Sequence, residues 1–309
     1  MCNLTQLKMT SEMIERGGIK TSMKNITRPR RSVLFVPAAN ARALEKSLAL
    51  GADAIIYDLE DSVADDVKVA SREALAAHLS AHPDVPFERI VRINALDGAF
   101  GDDDVKMAAE AGIDAVLVPK VERPQDVIDV ARKLDKADAP ENCRIWAMIE
   151  TPRGILNADE IAQLGSRSSA RLSAFVVGPN DIARESGIRT LPGRPYLVPW
   201  LMQIILAAKA GGLEVLDGVY NDFKDVQGFE AECVQGASMG FDGKTLIHPL
   251  QIAGANIGFS PSEDEIAHAK AVVELFTRPE NMSKGVVSLN GQMIERLHLH
   301  MAERVLAKI

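Results

Sequence analysis

The stretch "AGIDAVLVPKVERPQDVIDVARKLDK" (residues 111–136) contains one complete folding unit. Gly112 precedes the β-branched run "DAVLVPK" (114–120), whose apolar body ends on a polar tip. "PQDVIDVARKLDK" follows, with apolar residues at i, i+3 and i+4, the spacing of an amphipathic helix. The unit recurs from residue 32 onward. Its strand segments are "SVLFVP" (32–37), "DAIIYDLED" (53–61), "RIVRIN" (89–94), "DAVLVPK" (114–120), "RIWAMIE" (144–150), "LSAFVVGPND" (172–181), "LEVLDGVY" (213–220) and "FDGKTLIHP" (241–249). Gly51, Gly112, Gly212 and Gly240 each close a helix ahead of the next strand, where a left-handed residue is needed.

Strands alternating with helices imply a parallel sheet, and runs without polar alternation imply strands buried on both faces. The count fits a closed (β/α)8 barrel of class α/β. The alternative, a doubly wound open sheet, usually has a Gly-rich loop after its first strand, whereas "FVPAANARAL" contains no glycine.

The 309 residues, 47% hydrophobic and 25% charged, are ordinary for a globular protein and enough for a large core. The net charge of -8 argues against a general nucleic-acid or anionic-membrane binder. Cys2, Cys143 and Cys233 are far apart, with no CxxC or zinc spacing, so a reduced, cytoplasmic setting without structural disulfides is expected. Residues 1–28 lack an apolar signal core and read as a loose leader, with Met23 a conceivable start; residues 29–256 form the barrel. Residues 257–309 break the rhythm. "SPSEDEIAHAKAVVELF" reads as a helix capped by Ser260 or Ser262. "KGVVSLNGQMIERL" reads as strand–turn–strand or strand–turn–helix around Asn290-Gly291, and a last helix follows. This appendage is a packing arm or a lid.

In a barrel of this kind the chemistry lies at the C-terminal ends of the strands. Those ends carry Asp58, Glu60 and Asp61, then Arg92, Lys120, Glu150, Asp181, Asp217 with Asp222, and His248. Converging carboxylates repel unless protonated or bridged by a cation. Glu150 and Asp181, on adjacent strands, can give two oxygen ligands to one Mg²⁺, although Asp181 alone also suits a helix N-cap. Arg92 stands in an apolar run where a guanidinium needs a partner: a substrate carboxylate, a salt bridge to Glu60 or Asp61, or both. Arg92, Glu60 and Asp61 are therefore candidate catalytic groups. Lys120 is a Schiff-base lysine or, more simply, a counter-ion to the acids. His248 is a mouth residue or a backbone cap, and His298 and His300 read as surface residues.

Several segments resemble one family, in its order and over nearly everything after residue 30: "RRSVLFVP", "GADAIIYDLEDSV", "VRINALDG", "VLVPKVE", "IETPRGILNADEIA", "LDGVYNDFKD", "GFDGKTLIHPLQI" and "GVVSLNGQMI". This is the citrate lyase β-subunit-like (CitE-like) branch of the HpcH/HpaI aldolase superfamily, which includes malyl-CoA and citramalyl-CoA lyases. The resemblance implies a (β/α)8 barrel in homo-oligomers, trimers or hexamers, that makes or breaks a C–C bond between a CoA-thioester acyl unit and a 2-oxo acid, with Mg²⁺ at the mouth. It implies that Glu150 and Asp181 hold the metal and that Arg92, with Glu150, holds substrate. Phe35 and Lys46 fall where CoA is contacted. The tail is implied to be a lid over a neighbouring subunit's site, delivering an acid for proton transfer. Two departures stand out. The family's CoA-contacting arginine is replaced by Asn40, with Arg42 two residues on, and Glu295 of "GQMIERLH" takes the place of an aspartate. The implied alternatives are a malyl-CoA thioesterase, a CoA-independent aldolase, or a silent subunit that binds CoA esters.

Overall fold

A computed structural model describes residues 29–307, so the leader at 1–28 and the Cys2 and Met23 readings lie outside the described residues. Strands β1 (Ser32–Pro37), β2 (Ala54–Asp58), β3 (Glu88–Arg92), β4 (Ala115–Val118), β5 (Arg144–Ile149), β6 (Leu172–Val177), β7 (Glu214–Asp217) and β8 (Gly243–Leu246) form a closed parallel barrel in sequence order. Closure is made where β1 meets β8, with Ser32 opposite Lys244. The four helix-closing glycines adopt φ of +73° (Gly51), +59° (Gly112), +69° (Gly212) and +106° (Gly240), as their spacing requires.

Successive side chains on a strand point to opposite faces, and both faces are buried here. On β5, Trp146 and Met148 enter the barrel interior with Val33, Ile56, Ile90, Leu117, Val176 and Leu216. Ile145, Ala147 and Ile149 of the same strand pack outward into the helix layer. The bulk of Trp146 is accommodated by small neighbours in the same interior cluster, Ala54, Ala115 and Ala174. At the opposite end from the strand tips, Arg30 plugs the barrel. It hydrogen-bonds Glu88 at 2.6 and 2.7 Å and Glu214 at 2.7 Å, and its guanidinium lies 4.9 Å over the Trp146 ring.

Helix α1 (Ala41–Ser47) starts at Asn40, whose Oδ1 accepts the Ala43 N–H at 3.0 Å, and α2 (Lys68–Ala81) follows β2. In the tail, Ser262 is the N-cap of helix Glu263–Thr277, exchanging hydrogen bonds with Glu265. The next piece is strand–turn–strand: β9 (Val286–Leu289) and β10 (Gln292–Glu295) pair antiparallel. Asn290 and Gly291 turn between them at φ +50° and +81°, the left-handed pair a two-residue hairpin asks for. Helix Arg296–Leu306 ends the chain, and the tail has its own core of Val272, Leu275, Phe276, Val287, Ile294 and Ala302. Among the described residues no helix is long and apolar enough to cross a membrane.

Candidate active site

A cavity of about 380 Å³ opens at the strand tips, lined by Phe35, Pro37, Asp58, Asp61, Ser62, Arg92, Met148, Val177, Gly178, Pro179, Asn180, Asp181, Val219 and Ile247. Beside it stands Glu150, one residue past the end of β5 and only 1% exposed. Its Oε1 accepts the Lys120 N–H at 2.8 Å, while Oε2 is buried with no hydrogen-bond partner. Room for this carboxylate comes from Gly178, where a Cβ would lie 2.5 Å from both the Glu150 Cβ and Oε2. Burial is the main force on Glu150. With the Lys120 hydrogen bond as a partial offset and the Asp181 charge adding to burial, it pushes the carboxyl up to about 8.

Asp181 does not cap its helix. It sits in the first turn of Pro179–Ser186, whose N-cap is Gly178, and is 8% exposed. Arg184 Nη2 lies 2.5 Å from Asp181 Oδ1 as an ion pair without hydrogen-bond alignment, so that oxygen too is buried without a donor. Two buried carboxylates from neighbouring strand ends thus each leave an oxygen unsatisfied. The Glu150 oxygen is costly unless a cation meets it, while the Asp181 oxygen already faces the mostly exposed Arg184 guanidinium. Oxygen-only donors of this kind fit a hard divalent ion such as Mg²⁺, and Glu150 and Asp181 are the residues that would hold it.

Arg92 is clamped. Its Nε and Nη2 donate to Asp58 Oδ1 and Oδ2, both at 2.6 Å. Its Nη1 lies 3.1 Å from Glu60 and 3.7 Å from Asp61, and the guanidinium is 5.0 Å over the Phe35 ring. The salt bridge expected to Glu60 or Asp61 exists, but Asp58 is the principal partner and takes the bidentate fork. Burial would raise the Asp58 carboxyl, yet the Arg92 bonds outweigh it and hold the group below its usual range. Glu60 is held above its usual range by burial, against the pull of Arg92 and Lys120. Lys120 Nζ donates to Glu60 Oε1 at 2.7 Å, which matches the counter-ion reading.

Other strand-tip residues are engaged elsewhere. Asp217 is fully buried and neutralised by Arg194 Nη1 at 2.7 Å and Lys244 Nζ at 3.0 Å, so it is not a free ligand. Asp222 is exposed and accepts the Lys224 N–H. His248 accepts the Leu250 N–H at 3.2 Å and stacks on Phe223 with ring centroids 4.2 Å apart, so the cap reading holds. Phe35 lies in the cavity wall, whereas Arg42 and Lys46 are exposed on α1 and the Asn40 oxygen is committed to capping that helix. Glu295 is half-buried at the end of β10, and its N–H donates to His298 Nδ1 at 2.9 Å.

Sequence reasoning missed the groups that brace the acid-bearing loop after β2. Lys68 Nζ donates to the carbonyls of Leu59 and Glu60 at 3.0 and 2.8 Å, and Asn94 Nδ2 donates to Leu59 O and to buried Asp104. Nothing in a lysine at the start of a helix announces that it will be buried.

The chain is 46% identical over 286 residues to a (3S)-malyl-CoA thioesterase of Cereibacter sphaeroides, covering 93% of this chain and 96% of that one. It is 37% identical to the citrate lyase subunit beta of Escherichia coli, over 91% and 94% of the two chains. The solved structure of CitE from Mycobacterium tuberculosis in complex with magnesium, acetoacetate and coenzyme A superposes with a TM-score of 0.71 at 30% identity, covering 91% of this chain and 97% of that one. A family model described as HpcH/HpaI aldolase/citrate lyase matches residues 31–249, which span the whole barrel and every strand tip described above; the chain belongs to the HpcH/HpaI aldolase/citrate lyase family.

Proposed function

We propose that this protein is a Mg²⁺-dependent CoA-ester lyase acting on a short 3-hydroxyacyl-CoA that ends in a carboxylate, such as malyl-CoA or citramalyl-CoA. It breaks the bond between the hydroxyl-bearing carbon and the thioester α-carbon, giving a 2-oxo acid and an acyl-CoA, or forms that bond in reverse. The observation that carries the reading is the pair of buried, donor-less oxygens of Glu150 and Asp181 beside the fixed cation Arg92. These groups suit the hydroxy-acid end of such a substrate. The magnesium, acetoacetate and coenzyme A in the CitE relative support the same assignment.

A bound Mg²⁺ supplies Lewis-acid neutralisation of the acid's carboxylate and its adjacent oxygen. The chain's own groups do the rest. Arg92, held rigid by Asp58, presents its remaining edge and charge toward the substrate carboxylate. Asp61 is the group assigned to take the hydroxyl proton and return it in condensation, a role supported by its 55% exposed side chain in the cavity wall. As the C–C bond breaks, its electrons pass to the thioester as an enolate, and the α-carbon takes up a proton. Glu295, carried by the tail of a neighbouring subunit in a homo-oligomer, is the proposed donor. Phe35 flanks the acyl end, while Arg42, Lys46 and the free amide of Asn40 are the α1 groups for CoA.

A second reading keeps the site and changes the bond broken. Hydrolysis of the thioester is favoured by the name of the 46%-identical relative, a (3S)-malyl-CoA thioesterase. Purified protein assayed with malyl-CoA and citramalyl-CoA, with Mg²⁺ and with EDTA, separates the two. Glyoxylate or pyruvate release supports the lyase, and free CoA without either supports the thioesterase. Turnover undiminished by EDTA would overturn the role given to Glu150 and Asp181.

A further inference from the structure

Away from the barrel mouth, one group of side chains has the composition of a transition-metal site. Glu45 of α1 faces His78 and His82 at the end of α2, and one donor atom from each lies within 4.8 Å of the others. The two histidines are four apart, the spacing that brings side chains to one face of a helix. His78 Nδ1 is already 3.4 Å from Glu45 Oε1, close to the roughly 3.3 Å between donors around a tetrahedral zinc with ligands at about 2.0 Å. Glu45, whose side chain is 66% exposed, has the freedom to rotate toward both rings.

Protonation is also set. His82 Nδ1 lies 3.0 Å from the His78 carbonyl, which can only accept, so Nδ1 carries the proton and Nε2 keeps its lone pair. A histidine whose second nitrogen donates to a carbonyl is the usual arrangement for a metal ligand. The His78 side chain is 5% exposed, and its Nε2 has no hydrogen-bond partner. Among the described residues the thiols are poor competing ligands, because Cys143 and Cys233 are buried and pushed up to about 11 and about 12.

The geometry points to Glu45, His78 and His82 as a second metal site, one that takes a single imidazole-preferring divalent cation of the zinc, cobalt or nickel type and ties α1 to the end of α2. Mg²⁺ does not compete for it, since that ion prefers oxygen ligands throughout. The site is independent of the substrate proposed above.

Tag-free full-length protein saturated with Mg²⁺ is titrated with Zn²⁺ against a chromophoric chelator, and with Co²⁺ by visible absorption. One equivalent of Zn²⁺ is expected, together with the intense bands of four-coordinate Co²⁺. Glu45→Gln and His82→Gln should each weaken binding by at least about tenfold, the loss that even an outer-shell partner causes, and His82→Gln should abolish the Co²⁺ bands. Both substitutions are outside the core, and circular dichroism checks the fold. In Glu150→Gln the equivalent of Zn²⁺ should remain. No Zn²⁺ bound beyond what Mg²⁺ displaces, or binding unchanged in both variants, overturns the site.

Discussion

Lowering the pH should expel the cation from the barrel mouth by protonating Glu150. Without metal this carboxyl titrates at about 8 instead of the ordinary 4.5, mainly through burial and further through Asp181. At pH 7 it is then about nine-tenths protonated, so Mg²⁺ binding must release about 0.9 proton. Isothermal titration in two buffers of different ionisation enthalpy measures this directly. Apparent Mg²⁺ affinity should rise close to tenfold per pH unit from about pH 6 and level off above about pH 8. Stability follows with a definite sign. Because the folded value is raised, the contribution of Glu150 is complete below about pH 4.5 and is lost as pH rises toward 8. At about 1.4 kcal/mol per unit, the metal-free protein loses up to about 5 kcal/mol over that window, and Mg²⁺ restores it at the alkaline end. Glu150→Gln should flatten both profiles. Heats identical in the two buffers at pH 7 would refute the reasoning, because they would mean that Glu150 is already ionised.

Other perturbations isolate other parts of the site. Gly178→Ala places a methyl 2.5 Å from Glu150 Oε2 and 3.0 Å from Met148 Cε; Mg²⁺ affinity by calorimetry should fall about 10- to 100-fold, matching an overpacking cost of about 1–3 kcal/mol, and wild-type affinity would refute the crowding. Arg30→Ala leaves buried Glu88 and half-buried Glu214 without their cation and should cost about 3–5 kcal/mol in urea unfolding, and a loss below about 1 kcal/mol would show that the plug carries little stability. Glu295→Gln should lower turnover while Mg²⁺ affinity stays the same, and unchanged turnover would remove Glu295 from proton transfer.

The barrel was legible because its signals are local. A glycine that must be left-handed, an apolar run of strand length and a polar tip all fall within one unit, and Gly51, Gly112, Gly212 and Gly240 adopt the conformations their spacing demands. Glu150 was legible for the same reason: a charge ending a buried run has few uses. What sequence could not supply was the partner of each acid. Asp217 and Asp181 both end or follow a strand, but Asp217 is neutralised by Arg194 from a preceding loop and by Lys244 of the next strand. That pairing depends on how the chain closes on itself. Likewise Arg92 lies against Asp58 because β2 and β3 pair in a register that sets those two residues side by side. Nothing local in the sequence marks Gly178 as the residue whose missing side chain leaves room for Glu150.

The ionic groups gathered at the mouth have a consequence for the order of events. Five carboxylates meet there, Asp58, Glu60, Asp61, Glu150 and Asp181, against three cations, Arg92, Lys120 and Arg184. With every group ionised, the excess is two negative charges, the amount that one divalent ion cancels; in the metal-free protein near pH 7 the proton on Glu150 reduces it to one. An incoming hydroxy-acid carboxylate therefore meets repulsion in the metal-free protein and near-neutrality once the proposed Mg²⁺ is in place. On the proposed function, binding is then expected to be ordered, cation before acid, with electrostatics favouring that sequence of arrival.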